Sequence, residues 1–216
     1  MNLGRSGGLR GMRLTLTQFV TLDGVMQAPG GRSEDPSGGF EHGGWSFPYA
    51  DDDFGRAVGG WFGQADAFLL GRRTYEIFST HWPRVTDPDD PIAGPLNRLP
   101  KYVASRTLDA VSWNGAELIR GDVAERVAEL KTAPGRELQV HGSGGLAQTL
   151  MAHGLIDEYR LIVYPVTLGS GRRLFAEGTR PAALRLVEST PTSTGVTINV
   201  YETAGEPTYG SFELPE

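Results

Sequence analysis

The chain has no cysteine. Disulfides, thiolate metal sites and thiol catalysis are excluded together, and a reducing cytoplasm is the expected setting. Positive charge is scarce: 20 Lys and Arg stand against 26 Asp and Glu, for a formal net charge of -6. An extended electrostatic footprint for nucleic acid is not expected on such a chain. No apolar run is long enough to span a bilayer, and no signal-peptide core is present, so no membrane partner is expected. The four histidines, His42, His81, His141 and His153, have no partners at ligand spacing, so no metal site is expected either. Glycine is abundant, at 30 residues, but it punctuates turns without a repeat period.

What is present suits one domain, or at most two, in 216 residues. Residues 1–12, glycine-rich with Arg5 and Arg10, read as a disordered extension, residues 13–203 as the folded domain and residues 204–216 as a tail. The chain is organised around residues 139–154. A buried strand ending at His141 runs into Gly142-Ser143-Gly144-Gly145, and Leu146, Ala147, Leu150 and Met151 follow at helical spacing until Gly154. A glycine turn leading into a helix N-terminus lets backbone N–H groups approach an anion, and the dipole favours negative charge there. A dinucleotide pyrophosphate is one guest; glycines kept only for tight packing are the other reading.

Around this stretch, strands are expected over 13–20, 66–70, 101–105, 117–119 and 157–166, with two final antiparallel strands over 184–188 and 196–201. A helix opens at Asp51-Asp52-Asp53 and carries Phe54, Ala57, Val58, Trp61, Phe62 and Ala65 on one face. A short helix with Thr74 as its N-cap is expected before Trp82-Pro83, and a helix capped by Asp122 runs to about Lys131. Residues 25–48 read as a long polar lid or packed loop with Trp45 and Phe40, and residues 84–100 as a proline-rich loop. Strands alternating with helices, followed by a strand pair, predict an α/β fold whose mixed sheet is parallel in its body and antiparallel at its C-terminal edge. Those closing strands could face a second copy of the chain, and a homodimer is expected.

Three strand ends fall on the edge where α/β sheets bind ligands: Gly71-Arg72-Arg73-Thr74, Ser105-Arg106 and residues 142–145. The planar fork of Arg suits phosphate oxygens, and two basic turns beside a pyrophosphate cradle favour NADPH over NADH. The glycine turn comes too late in the chain for the usual dinucleotide fingerprint, so a Rossmann fold is disfavoured. Ser143 reads as a phosphate contact rather than a nucleophile.

Residues 71–76, with Trp82-Pro83 after them, resemble the Gly-Arg-x-Thr segment of dihydrofolate reductases. Thr21-Leu22-Asp23-Gly24 resembles the Ser-Leu-Asp-Gly turn of the reductase domain of bacterial riboflavin biosynthesis, and residues 141–175 are similar to the C-terminal half of that domain. The joint order identifies the chain as a stand-alone member of the dihydrofolate-reductase-like superfamily, with a three-layer fold. A zinc deaminase domain, often fused to the riboflavin enzyme, is absent from the sequence.

The resemblance implies NADPH-dependent hydride transfer to a C=N or C=O group of a small pterin-like, pyrimidine-like or carbonyl substrate. It implies that Arg72, Arg73 and Thr74, after Gly71, hold adenosine-side phosphates, that Ser105 and Arg106 lie near the 2′-phosphate, and that Gly142, Ser143, Gly144, Gly145 and Leu146 cradle the pyrophosphate. Thr21, Leu22 and Gly24 would lie beside the nicotinamide. The acid that dihydrofolate reductases carry inside the first helix is bunched here at the helix start, where Asp53 and then Asp52 are the candidates, with Asp23 in the preceding turn. Trp45, Phe54 and Trp82 are candidate substrate-stacking surfaces. The alternative is a non-catalytic protein on the same fold that binds a nucleotide, a flavin or an antifolate.

Overall fold

In the computed structural model, residues 11–213 are described. The extension expected over 1–12 lies almost wholly outside them, as do the last three residues of the expected tail. Eight strands form one sheet: β1 (Arg13–Thr21), β2 (Ala65–Gly71), β3 (Lys101–Ala104), β4 (Ala116–Ile119), β5 (Glu137–His141), β6 (Glu158–Tyr164), β7 (Leu184–Pro191) and β8 (Thr197–Thr203). Their order is β4-β3-β2-β5-β1-β6-β8-β7. β1 to β6 pair with one another in parallel, β8 runs antiparallel to β6, and β7 antiparallel to β8. This is the expected α/β architecture with its antiparallel C-terminal edge.

The flanking helices are α1 (Asp52–Phe62), α2 (Arg72–His81), α3 (Ala93–Arg98), α4 (Val123–Thr132) and α5 (Gly144–Ala152). Helices cover both faces, so β1 is buried along almost its whole length rather than on alternate residues. Leu14, Leu16, Leu138 and Val140 meet Val127 and Leu130 of α4 and Leu146 and Leu150 of α5. On the other face, Phe68, Leu70 and Val103 meet Val58 and Phe62 of α1 and Tyr75 of α2. The expected stripe of α1 packs from Phe54 to Phe62, but Ala65, expected on the same helix, lies past the helix end as the first residue of β2. Asp51 caps the helix by accepting from Phe54 N–H at 2.8 Å.

Two local expectations are corrected. Residues 84–100 are not all loop: α3 forms there, because Pro95 sits in its first turn, where a missing N–H costs no helical bond, and Leu96 is fully buried. Helix α2 begins two residues before Thr74, with Gly71 at the N-cap position. The Thr74 hydroxyl is engaged elsewhere, as described below.

Neighbouring strands β2 and β5 send their helices to opposite faces of the sheet. A crevice therefore opens at the C-terminal ends of these two strands, the position where open α/β sheets hold ligands.

Candidate active site

The crevice is closed at its base by a cross-strand joint. Gly71 N–H donates to Ser143 Oγ at 2.9 Å, Ser143 Oγ donates to the His141 carbonyl at 3.0 Å, and Ser143 N–H donates to Thr74 Oγ1 at 3.0 Å. Gly142 and Ser143 are consecutive left-handed residues, with φ of 57° and 58°. A Cβ on Gly142 would lie 3.3 Å from Thr74 Oγ1, a tight contact at a φ that side chains rarely adopt, so glycine suits this position. The Ser143 hydroxyl, read from sequence as a phosphate contact, is instead occupied in this joint.

The turn leaves the first three N–H groups of α5, those of Gly144, Gly145 and Leu146, without an acceptor among the described residues. No side chain caps the helix. A Cβ on Gly145 would meet nothing within 4 Å, whereas one on Gly144 would meet the Met26 side chain at 2.9 Å; all three residues line the cavity described next. Donors, dipole and free space together fit a phosphate group.

A cavity of about 860 Å³ lies over the crevice, and Gly71, Arg72, Arg73, Thr74, Ser105, Arg106 and residues 142–146 all line it. The structure thus brings together the three strand ends picked out in the sequence. Their side chains differ in availability. Arg106 is exposed and has no acidic partner among the described residues. Arg72 donates to Thr107 Oγ1 at 2.7 Å and pairs with Glu76 at 3.3 Å. Ser105 Oγ accepts from Thr107 and Leu108 N–H, which shapes the turn that carries Arg106. Arg73 is tied to the buried carboxylate of Asp35 at 2.8 Å, and Arg172 pairs with the same oxygen. Asp35 also accepts from Ser37 Oγ at 2.7 Å.

Loop 25–48 is thereby strapped to α2 and to the loop carrying Arg172, and its stretch from Met26 to Gly31 lines the cavity. Its Trp45 is core rather than a stacking surface: the residue is 7% exposed, its ring packs edge-on against Tyr164, and its Nε1 donates to the Gln27 carbonyl at 2.8 Å. Phe54 and Trp82 do line the cavity, in an apolar wall with Phe19, Val58, Phe62 and Phe78.

The turn of Thr21, Leu22, Asp23 and Gly24 stands apart from that lining. Asp23 accepts from Thr21 Oγ1 at 2.6 Å and from Leu168 and Gly169 N–H, and the Thr21 bond leads in holding its carboxyl below the usual range. Leu22 is 65% exposed. Asp52 is exposed on the first turn of α1, and Asp53 pairs with Arg56. Neither lines the cavity, because the helical period that turns Phe54, Val58 and Phe62 inward carries their neighbours away.

Glu34 and Asp35 are the carboxylates that do line it. Glu34 accepts from Gly30 and Gly31 N–H at 2.6 and 2.9 Å; burial nevertheless raises its pKa. Residue-level reading of the sequence passed over these two, together with Thr17, Gln18, Arg172 and His141. His141 is buried, its ring stacks on Phe62 at 4.4 Å, and burial, assisted by the Arg160 charge, holds its pKa down to about 3. The signal was available: Glu137, Gln139 and His141 alternate as polar residues on one face of a strand buried on both. Among the described residues no group of three His, Cys, Asp or Glu could hold a metal ion, and no helix is long and apolar enough to cross a membrane.

The family model described as RibD C-terminal domain matches residues 13–198. The uncharacterized Bacillus subtilis (strain 168) protein YyaP is 31% identical over 206 residues, 93% of this chain and all of that one. Three solved structures share the fold. A protein from Shewanella sp. PV-4 named for riboflavin biosynthesis is 21% identical with a TM-score of 0.64, over 89% of this chain and 99% of that one. A Thermotoga maritima diaminohydroxyphosphoribosylaminopyrimidine deaminase/5-amino-6-(5-phosphoribosylamino)uracil reductase is 13% identical with a TM-score of 0.61, over 90% of this chain and 57% of that one. Enterococcus faecalis dihydrofolate reductase, complexed with NADP(H), is 14% identical with a TM-score of 0.56, over 88% of this chain and 96% of that one.

Proposed function

This chain belongs to the RibD C-terminal domain family, and from that premise we propose that it is an NADPH-dependent reductase that transfers hydride to a small heterocyclic or carbonyl substrate. The heterocycle would be pterin-like or resemble the pyrimidine precursor of riboflavin. The observation that carries the proposal is the row of three unpartnered N–H groups at the start of α5, opening on a cavity of about 860 Å³.

In this reading Gly144, Gly145 and Leu146 hold the pyrophosphate through backbone donors. Arg106, with Arg72 beside it, meets the 2′-phosphate, and Ser105 sets the turn. Gly71, Thr74 and Ser143 keep the crevice open at the right width, and Arg73 secures loop 25–48 through Asp35. NADPH supplies the hydride when bound. The chain supplies position: the wall of Phe54, Val58, Phe62, Phe78 and Trp82 presents a flat apolar slot that orients a planar substrate and excludes water. We also propose a homodimer, through the exposed edge strand β7 with Leu186 and Val187 half-exposed on it, in a cytoplasmic setting. A monomer mass in light scattering would remove the dimer.

The test is a titration with NADPH and, separately, NADH, followed by tryptophan fluorescence. NADPH should bind at least about tenfold more tightly, with the preference lost in Arg106→Ala. Equal affinities would remove the 2′-phosphate assignment, and no binding of either would remove the reductase reading. The second reading, a binding protein without turnover, is favoured by the placement of Asp52 and Asp53 outside the cavity. NADPH oxidation with any heterocyclic acceptor would end it.

A further inference from the structure

The chain enters β4 through a tight turn, Trp113-Asn114-Gly115-Ala116, closed by Ala116 N–H donating to the Trp113 carbonyl at 2.9 Å. Gly115 takes a left-handed φ of 70° there. Asn114 and Gly115 are exposed, while Trp113 before them is buried. The Asn114 side chain makes one contact, a long bond of 3.4 Å from Nδ2 to the Asn97 carbonyl. The Gly115 N–H has no acceptor among the described residues. A carboxamide and an unengaged backbone nitrogen therefore stand on consecutive residues, and attack of one on the other is intramolecular. Glycine leaves that attack unobstructed, because no Cβ crowds the nitrogen and its backbone torsions are the least restricted.

The structure disfavours the same chemistry at the other candidates. Asp23-Gly24 is the one Asp-Gly step in the sequence. There the Gly24 N–H donates to the Thr21 carbonyl at 2.9 Å, and the Asp23 carboxylate accepts from Thr21 Oγ1 and from Leu168 and Gly169 N–H. Its nitrogen is engaged, and its carboxyl is held ionised, which makes it a poor electrophile. Asn97 precedes Arg98 inside α3, and its amide is fixed by the Trp82 carbonyl at 3.0 Å and Trp113 Nε1 at 3.1 Å. Asn199 precedes the β-branched Val200 within β8.

We propose that Asn114 is a site of spontaneous covalent modification, where the side-chain amide is lost through a succinimide and a mixture of aspartate and isoaspartate is left in the turn. Gly115 N gives its proton to solvent and bonds to Asn114 Cγ, the Cγ–Nδ2 bond breaks, and ammonia leaves. Water then opens the ring. Opening at Cγ gives aspartate; opening at the main-chain carbonyl carbon gives isoaspartate, with the chain routed through Cβ and Cγ. Nothing is oxidised or reduced. Either product adds a negative charge, and isoaspartate also lengthens the backbone by a methylene. The turn is pinned on both sides of that insertion. The Gly115 carbonyl accepts from Lys101 N–H at 2.9 Å, and Trp113 is held by the Tyr75 hydroxyl and by Asn97. Asn97 in turn donates to the Trp82 carbonyl, and Trp82 lines the cavity. Isoaspartate at position 114 therefore loosens the β3–β4 edge of the sheet and the outer wall of the apolar slot. The assignment does not depend on the reductase reading.

Wild type and Asn114→Gln are held for days in warm, mildly alkaline buffer. Samples are mapped by tryptic peptide mass and labelled with protein isoaspartyl methyltransferase. Asn114 falls in the tryptic peptide 107–120, and Asp23, Asn97 and Asn199 fall in others. Peptide 107–120 should gain the mass difference between OH and NH2 at least about tenfold faster than the peptides of Asn97 and Asn199, a barrier lower by about 1.4 kcal/mol. It should carry the methyl label, and the Asp23 peptide should not. In Asn114→Gln the attack needs a larger ring, so peptide 107–120 should stay unlabelled. That variant changes an exposed side chain and should melt with fresh wild type. Aged wild type should develop a lower-melting fraction that grows with the label, while Asn114→Gln keeps a single transition. Conversion of peptide 107–120 no faster than the other asparagine peptides, or label arising first at Asp23, would overturn the assignment. Full labelling with unchanged melting would overturn the link from this turn to the sheet edge.

Discussion

Gly71 and Ser143 are 72 residues apart in the chain, yet the backbone N–H of the first lies 2.9 Å from the hydroxyl of the second. Through this bond the end of β2 and the start of α5 share one side chain, and the same hydroxyl donates onward to the His141 carbonyl. Ser143→Ala leaves the Gly71 N–H without its acceptor and keeps a side chain at a φ of 58°. The expected loss is about 2 kcal/mol of stability, read from urea unfolding. NADPH affinity should fall with it, because the joint sets where Gly144 and Gly145 present their donors. An unchanged midpoint would mean that the joint does not hold the crevice.

Gly145 offers a cleaner separation of binding from stability. Its Cβ position is open, so a side chain there displaces nothing in the protein. An acid in the first turn of α5 would interact well with the helix dipole, by about 0.3–1 kcal/mol. Gly145→Asp should therefore melt at or above the wild-type temperature and bind NADPH at least about tenfold more weakly, since a carboxylate would occupy the anion cradle. Full NADPH affinity in a folded variant would remove the cradle from the binding model.

These two glycines also mark what was legible in the sequence. The Gly-Ser-Gly-Gly turn between a β-run and a helical run, and the apolar stripe of α1, are local patterns, and each sits where the pattern put it. The three strand ends converge because parallel strands place their C-terminal ends on one edge. Other features depend on partners far away in the chain. Thr74 is a good N-cap residue by type, but Ser143 N–H, 69 residues on, takes its hydroxyl. Trp45 looked like a free aromatic because nothing local shows that Tyr164 and Gln27 enclose it. Asp53 stands next to Phe54 in sequence, yet one helical step turns it toward Arg56.

Asp51 ties the start of α1 to the turn between β7 and β8. It accepts from Phe54 N–H, from Ser193 Oγ at 2.8 Å and from Thr194 N–H at 3.3 Å. The Phe54 bond leads in lowering its pKa from 3.8 to about 2. The folded state thus binds this proton less readily than the unfolded state. The contribution to stability is complete above the unfolded pKa and is lost as pH falls through about 2. Asp51→Asn keeps a capping side chain but does not ionise. Its melting temperature should therefore fall less than that of wild type when pH is lowered from about 4 to about 2. Parallel acid curves for the two proteins would show that the carboxylate gains nothing from these donors in solution.

Glu34 carries the opposite sign. Burial raises its pKa from 4.5 against the pull of the Gly30 and Gly31 N–H groups, so the folded state holds the proton more tightly than the unfolded state. Its contribution is complete below 4.5 and is lost as pH rises through the raised value. Glu34→Gln retains an oxygen that can accept from both glycine N–H groups and removes the titration. The variant should gain stability relative to wild type on going from about pH 4 to about pH 7, read as the difference between their melting temperatures at each pH. Glu34 lines the cavity, so the same variant tests its part in the chemistry: if its carboxyl supplies the proton that accompanies hydride transfer, the alkaline fall in the pH–rate profile disappears with Glu34→Gln and persists in Asp53→Asn. A profile altered by Asp53→Asn alone would return the proton to the helix start, and loop 25–48 would then be a wall of the site and not a participant.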